Sequence, residues 1–280
     1  MNLHNSVSGK MEYIQKVFVG VQVYMQQNHE LGELIAFLDA EPPMFRSVAY
    51  ESASMEMALP ELQSGKALDN WKEFYKRSAK AHTFHMDIGL GWAFAKTGIS
   101  PKPYLQSLQP SMSLMIYDGI GYYYGLFKGR NTVKSQLIPG EINEQELHGF
   151  DQGLGRRLWY ISKGEVKQLV QLIQPFHSSR HAGLWRGVGI ACGYVGSCEK
   201  QHLERLLICS AGFNKQLCAG VTFAAISRKA SNSISSDIDL ACNIICGKPL
   251  EDILCDDEGL EKQFDPEWKL SSKMNNFPEE

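Results

Sequence analysis

The sequence predicts an all-α protein built as an array of repeated helices, and three observations lead there. The first is a Gly-x-Gly signature that returns five times in an apolar setting: Gly89-Leu90-Gly91, Gly119-Ile120-Gly121, Gly153-Leu154-Gly155, Gly187-Val188-Gly189 and a degraded Gly220-Val221-Thr222. The first glycines step forward by 30, 34, 34 and 33 residues, and a fixed period of this size marks a helical repeat. The second is an apolar stripe that emerges when the copies are aligned on the first glycine. Three positions before it stand Met86, Ile116, Phe150, Leu184 and Leu217. One after it stand Leu90, Ile120, Leu154, Val188 and Val221, and five after it Phe94, Tyr124, Leu158, Cys192 and Ala225. Steps of four place these columns on one side of a helix. The third is the absence of any persuasive strand-like alternation. The architecture expected is a helical-repeat array, a TPR/HEAT-like α-solenoid of about five helix pairs with an N-terminal helical cap.

Residues 10–40 read as helical, with apolar positions at Tyr13, Ile14, Val17, Val21 and Tyr24. Glu41-Pro42-Pro43 ends that pattern, because proline disfavours helix in the residue before it. A second helical stretch runs from about Phe45 to Leu62. Neither stretch carries the glycine signature, so residues 1–67 are expected to cap the array. Repeats occupy 68–230, each signature in the second of two helices, with shorter apolar helices such as Val166–Ile173 and Leu203–Ile208 joining the copies. Gly98, Gly129, Gly164 and Gly196 stand where helices should stop. Pro101, Pro103, Pro110, Pro139 and Pro175 fall in or beside the connectors. Residues 231–280 hold a last helix capped by Ser236 and running to Ile245, then an acidic polar tail from Asp256 that is expected to be loosely held. The three parts form one continuous domain.

A glycine inside a helix costs about 1 kcal/mol relative to alanine, so nine of them require an offsetting gain. At about 100° per residue the two glycines of a copy fall on opposite edges of the apolar stripe, where neighbouring helices come alongside. Gly91/Ala95, Gly121/Gly125, Gly189/Gly193 and Gly220/Ala224 extend the pattern as small-x-x-x-small pairs that allow close backbone approach. The glycines therefore read as packing devices. Five periodic copies inside helical patterns exclude a dinucleotide-binding loop.

Chemistry should lie opposite the apolar stripe. One position before the first glycine stand Asp118, Gln152 and Arg186; three after it stand Trp92, Tyr122, Arg156, Ile190 and Phe223; Trp159 follows six after it. Aromatics with a few convergent polar groups are the usual lining of a small-molecule site, which makes Trp92, Tyr122, Arg156, Trp159 and Arg186 candidate substrate-binding residues. The bland alternative covers these aromatics with the shorter helices and pairs the charges internally, for instance Asp151 with Arg156 or Arg157. His82, His85 and Asp87 form a second polar cluster before the first signature. His85 and Asp87, with Asp118 and Asp151, are the candidate acid–base groups. His82 and His85 could share a ligand, but no third and fourth donors appear at metal-site spacing, so no metal and no cofactor is expected.

Other function classes are excluded by what the chain lacks. Its 280 residues carry a net charge of −3 with 44% hydrophobic and 21% charged residues, and there is no basic excess to attract nucleic acid. No stretch approaches the roughly 18 apolar residues of a spanning helix, and the N-terminus lacks a signal peptide's basic start and long apolar centre. A cytoplasmic protein without membrane insertion is expected. A nucleophile elbow, a P-loop and an H-E-x-x-H helix are all missing. Seven cysteines without a C-x-x-C pair argue against a disulfide framework and read as buried small hydrophobes in a reducing compartment. Cys242 and Cys246 share a helix face and could form a metal pair.

Longer strings carry a resemblance. Phe150 to Tyr160 (FDQGLGRRLWY), Leu184 to Gly196 (LWRGVGIACGYVG), Tyr117 to Phe127 (YDGIGYYYGLF) and Gly89 to Ala93 (GLGWA) resemble a bacterial family of unknown function. That family is best known from enediyne antibiotic gene clusters, where it is labelled UnbL. Phe45 to Ala58 (FRSVAYESASMEMA) and Leu240 to Gly247 (LACNIICG) extend the resemblance over most of the chain, in the same order. It implies association with making an enediyne core from a polyketide-synthase polyene, beside partner proteins, and it carries over no catalytic assignment. Relative to actinobacterial members this chain looks shortened at its N-terminus and rich in lysine.

Two functions follow as expectations. One is a biosynthesis-associated protein of secondary metabolism that binds, with or without modifying, a hydrophobic polyene- or polyketide-like molecule in an aromatic- and Arg-lined groove. The other is a non-catalytic helical-repeat scaffold that holds a biosynthetic protein partner in that groove.

Overall fold

A computed structural model of the chain describes residues 6–27, 29–108, 113–196 and 198–255; Pro110 and the tail from Asp256 lie outside them. The described residues are all-helical, with no strand among them. The helices are α1 (Val7–Met25), α2 (Leu31–Asp39), α3 (Pro43–Gln63), α4 (Asp69–Thr97), α5 (Lys102–Leu105), α6 (Ser113–Phe127) and α7 (Glu144–Ile161). There follow α8 (Val166–Ile173), α9 (Ser178–Val195), α10 (Lys200–Cys209), α11 (Asn214–Ala230), α12 (Ser236–Ala241) and α13 (Leu250–Cys255), with π-helical turns at Arg130–Lys134 and Cys242–Cys246. None of the helices is long and apolar enough to cross a membrane.

Local chemistry sets the ends. Pro43 starts α3 from its first turn, where a missing N–H costs nothing. Asn143 and Glu146 form a reciprocal capping box on α7. Gly98, Gly164 and Gly196 have φ of +70°, +80° and +64°, a region that favours glycine. Gly129 departs from that expectation, since it is right-handed at φ −58° and leads into the first π-turn instead of ending a helix. α12 has Ser235, one residue before Ser236, at its N-cap position with no side-chain capping bond, and continues as the π-helical Cys242–Cys246.

The long helices α3, α4, α6, α7, α9 and α11 pack side by side in chain order. Every junction from α4 onward uses the glycines in the same way. The first glycine of a copy lies on the carbonyl one residue before the preceding copy's first glycine: Gly119 on Ile88, Gly153 on Asp118, Gly187 on Gln152, Gly220 on Arg186. The second lies on the carbonyl three residues before the next copy's first glycine: Gly91 on Ile116, Gly121 on Phe150, Gly155 on Leu184, Gly189 on Leu217. A Cβ at any of these positions would overlap the facing carbonyl oxygen. Backbones thus approach to a distance that only glycine allows, and dense contact along each junction offsets the helix-propensity cost.

α3 belongs to this row although it has no glycine signature. Gly89 lies on the Glu51 carbonyl, and Ser54 Oγ donates to Met86 O at 2.6 Å. Ser52-Ala53-Ser54 therefore stands where Gly-x-Gly stands elsewhere. A serine takes the second glycine's place because its hydroxyl bonds the carbonyl it meets. α1 and α2 stand outside the row and pack on α3.

Gly125 of α6 meets Leu154 and Arg157, while Gly149 of α7 meets Leu114 and Tyr117. These pairs advance together along both helices, so α6 and α7 run in the same direction; α7 with α9 and α9 with α11 do likewise. Each link must carry the chain back along the row. α8 and α10 are well-formed return helices, with Leu169, Ile173, Leu203 and Leu206 buried. Among the described residues the return between α4 and α6 contains the four-residue α5, and that between α6 and α7 a π-turn and non-helical chain. Helix pairing is thus uneven along the array.

The row curves until its ends touch. Phe84 of α4 packs on Phe223 of α11 with ring centroids 4.4 Å apart, and Arg228 of α11 donates from Nη1 to Met44 O at the start of α3, 3.1 Å away. α1 runs across the curved row: Lys10 Nζ donates to Val195 O and Asp237 Oδ2, both at 2.8 Å, and Ser52 Oγ to Phe18 O at 2.9 Å. One cysteine pairing departs from the sequence reading: Cys218 and Cys246 form a disulfide with Cα atoms 5.0 Å apart. It ties α11 to the second π-turn across 28 positions, a separation at which local spacing carries no information. Cys246 is thereby removed from any metal pair with Cys242.

Candidate functional site

The concave side of the row and α1 together wall a cavity of about 430 Å³. The row helices α4, α6, α7 and α9 turn toward it the positions three and seven after their first glycine, and α4 also the position one before. These are Ile88, Trp92 and Lys96 in α4, Tyr122 and Leu126 in α6, Arg156 and Tyr160 in α7, and Ile190 and Tyr194 in α9. Counted from Ser52, α3 contributes Glu51 and Met55 by the same rule. α1 completes the wall with Met11, Ile14, Phe18 and their neighbours. Along α4 the lining passes from buried His85 through Ile88 and Trp92 to exposed Lys96. The cavity therefore opens toward the C-terminal ends of the row helices, beside the exposed side chains Val19 and Phe127.

Aromatic packing shapes the wall. Trp92 lies between Phe18, at 5.0 Å, and Tyr122, at 5.4 Å between ring centroids. The Arg156 guanidinium stands over the Tyr122 ring, 5.0 Å from its centroid, a favourable cation–π placement in a desolvated site. Behind Arg156 lies Asp118, fully buried, which accepts from Arg156 and, at 2.8 Å, from Gln152 Nε2. Burial pushes the Asp118 carboxyl up while Arg156 and Gln152 oppose it. Burial weakens the charged form of Arg156, but Asp118 and Glu51 outweigh it and hold the guanidinium protonated.

Several cavity groups are left less well satisfied: Trp92 Nε1, Arg157 Nε and Tyr194 Oη have no hydrogen-bond partner among the described residues, and Glu51 and His85 stand out among the titratable ones. Glu51 is 6% exposed and takes part in no hydrogen bond or close ion pair among the described residues. Burial pushes its carboxyl up to about 7, against the pull of Arg156. His85 is equally buried, its Nδ1 has no hydrogen-bond partner, and its ring lies 4.7 Å from that of Tyr194. Burial and then Arg156 push His85 well below its ordinary value, so the imidazole is neutral. Leaving such buried groups without partners costs about 1–3 kcal/mol each.

His85, Trp92, Tyr122 and Arg156 are thus brought together on one wall. Asp118 is one layer behind it. Asp87 is buried away from the cavity beside Tyr75, and burial pushes its carboxyl well above the usual range. Asp151 also lies elsewhere: it accepts from Arg180 through Nε, 3.0 Å to each oxygen, and through Nη2. Arg180 in turn donates to Gln136 O at 3.2 Å, clamping a connector to α9. The internal pairs are therefore Asp151–Arg180 and Asp118–Arg156, and Asp151 pairs with neither Arg156 nor Arg157. Trp159 is buried against Gly164 at the end of α7, off the cavity. Arg186 is buried near His148, 3.2 Å away, and also off the wall. His82 is stacked on Tyr50 and bonded to Ser47 Oγ at 3.0 Å, with burial lowering it to about 4, so it shares no site with His85. Among the described residues no cluster of three or more His, Cys, Asp or Glu could hold a metal.

Glu51, Tyr160, Tyr194 and the α1 residues are the functional candidates that column reading missed. Continuing the step of four from the positions one before and three after the glycine reaches seven after it, which is Tyr160 in α7 and Tyr194 in α9. Trp159 is one residue short of that column and turns away. A family model described as "Protein of unknown function (DUF1702)" matches residues 2–267. The chain belongs to that family. The match spans every helix of the DUF1702 row and the α1 segment that completes the cavity. No curated protein and no solved structure matches the chain. Function in this DUF1702 protein is therefore argued from its site.

Proposed function

We propose that the cavity binds a hydrophobic small molecule of the polyene or polyketide type, in a cytoplasmic protein associated with the biosynthesis of such compounds. The observation that carries this reading is the cavity itself: about 430 Å³, walled by aromatic and aliphatic side chains with a few convergent polar groups. That size and lining suit a small-molecule site. The UnbL-like strings supply the substrate class, and several of them form the wall, with Tyr122, Arg156 and Tyr160 drawn from two of the longest. On this reading the row is a solenoid of six parallel copies closed around its ligand, with Ser52-Ala53-Ser54 as the first copy.

Trp92 provides the test. Conjugated polyenes absorb where tryptophan emits, so a ligand in the cavity should quench Trp92 saturably. Trp92→Phe should remove most of the quenching and Trp159→Phe should leave it. An absence of saturable quenching across a polyene series, or quenching unaltered by Trp92→Phe, overturns the proposal. The exposed Val19 and Phe127 at the cavity's edge favour a second reading, a scaffold that seats a protein partner there. One stoichiometric partner lost with Val19→Asp/Phe127→Asp, together with no polyene binding, would decide for it.

A further inference from the structure

We propose that Glu51 and His85 receive the head group of the cavity's ligand, and that this head group is an uncharged oxygen function, a carbonyl or hydroxyl, on an otherwise hydrocarbon molecule. The inference rests on the cavity being a ligand site. Its basis is an incomplete set of hydrogen bonds. Glu51 reaches the cavity from α3 as a residue only 6% exposed, and has no hydrogen bond among the described residues. His85 reaches it from α4, equally buried, with an unpartnered Nδ1. Polar groups this deep are normally paired, and an unpaired one in a native fold asks for a missing partner.

The surroundings narrow what that partner is. A pure hydrocarbon would leave Glu51 and His85 as they are. A carboxylate would bring another acid beside Glu51, close to buried Asp118, while the cation that acts on Glu51, Arg156, is already committed to Asp118. An ammonium would meet Arg156 and Arg157, both on the wall. A neutral oxygen meets no like charge and can bond both groups. The groups facing Glu51 are His85 from α4, Asp118 and Tyr122 from α6, Arg156 and Tyr160 from α7, and Tyr194 from α9. The cavity side chains of α1 carry no charge. In this setting burial holds Glu51 near 7, so below neutrality the carboxyl keeps its proton and donates. Above it, the carboxylate only accepts.

That asymmetry separates the two oxygen functions. A carbonyl can only accept, so its bond to Glu51 needs the protonated acid. A hydroxyl can do either and keeps a bond at any pH.

The experiment uses conjugated tetraene chains of one length ending in a methyl ester, a primary alcohol, a carboxylate or a plain methyl group; parinaric acid is the carboxylate of the set. Binding to the full-length protein is read by tetraene fluorescence and by Trp92 quenching at about pH 6 and about pH 9, with thermal melting to establish that each variant is folded. At the lower pH the wild type should bind ester and alcohol about tenfold more tightly than hydrocarbon or carboxylate. At the higher pH the ester should lose that advantage and the alcohol should keep it. Glu51→Gln, which donates at every pH, should keep the ester's advantage at both. Glu51→Leu should bring ester and alcohol down to the level of the hydrocarbon. If all four chains bind wild type alike, or if Glu51→Leu leaves the preference intact, the head-group assignment is overturned while the cavity stands as a binding site. If none binds, the proposed function falls, and the head-group assignment falls with it.

Discussion

The two sides of each row helix are equally buried and differently finished. On the outer side, Met86, Ile116, Phe150, Leu184 and Leu217 are all fully buried, as are Leu90, Leu154, Val188 and Val221, and nothing polar interrupts them. On the inner side, Glu51, His85, Asp118, Gln152, Arg156 and Arg186 are buried to nearly the same degree. Apolar packing completes the outer side, since every surface finds a neighbour. The inner side has its charges partly paired and several of its polar groups short of hydrogen bonds around an open volume. Burial therefore separates neither side from solvent better than the other. What distinguishes them is satisfaction: one face is closed by apolar packing, and the other leaves polar groups unpartnered around an open volume.

The glycines fix the distance between neighbouring helices on both sides, so the largest effect should come from them. Gly→Ala inside a helix ordinarily stabilises by about 1 kcal/mol. Gly153→Ala should do the reverse, because its Cβ would fall on the Asp118 carbonyl oxygen with the Tyr122 backbone nitrogen close by. No flexible side chain can move aside there. A loss of about 4 kcal/mol or more is expected in denaturant unfolding, at the diagnostic end of single substitutions. A loss below about 1 kcal/mol would mean that α6 and α7 can separate cheaply, and that the close contact is incidental.

How much of this was legible in sequence follows from which contacts are periodic. The signature, the outer stripe, the boundaries of α8 and the use of glycine at helix edges are all local or periodic features, and column alignment exposes them. Part of the inner wall was reachable in the same way: His85, Trp92, Tyr122 and Arg156 come from aligned columns or an adjacent cluster. Glu51 was not, because Ser52-Ala53-Ser54 replaces glycine with serine, and only the Ser54 hydroxyl's bond to Met86 O reveals the equivalence. Asp151 and Arg186 share residue types with the site but are held by Arg180 and lie near His148, contacts that span 29 and 38 positions. Trp159 fell outside because a one-residue offset turns a side chain about 100° around a helix. The closure of the row by Phe84 on Phe223 and the Cys218–Cys246 pairing depend on curvature accumulated over many residues, which no window of sequence contains.

The outer face should behave as structure alone. Leu154→Ala deletes a fully buried side chain in the middle of α7 and should cost about 3 kcal/mol. Polyene binding by the folded variant should remain within about twofold of wild type, since no Leu154 atom lines the cavity. Urea unfolding and a fluorescence titration measure the two quantities on one sample. Binding that weakened in step with stability would erase the distinction between the two faces.

The inner face should show the opposite trade. Glu51 has an ordinary value of 4.5 and is raised to about 7 in the fold. An acid raised in this way binds its proton more tightly when folded, so its favourable contribution is present below about pH 4.5 and is lost as pH rises through about 7. Above that the protein carries a buried carboxylate whose charge Arg156 only partly offsets. Glu51→Gln removes the charge and keeps the shape. It should leave stability nearly unchanged at about pH 4.5 and raise it at about pH 8, by up to about 3 kcal/mol. Melting curves of wild type and variant across that range measure the effect as a gap that opens with pH. A constant gap would place the effect in packing, and a variant less stable at alkaline pH would mean that the carboxylate is satisfied within the fold. A gap that opens as described would mean that the ligand-free protein tolerates a destabilising acid in its cavity, which is the cost expected of a group retained for what it binds.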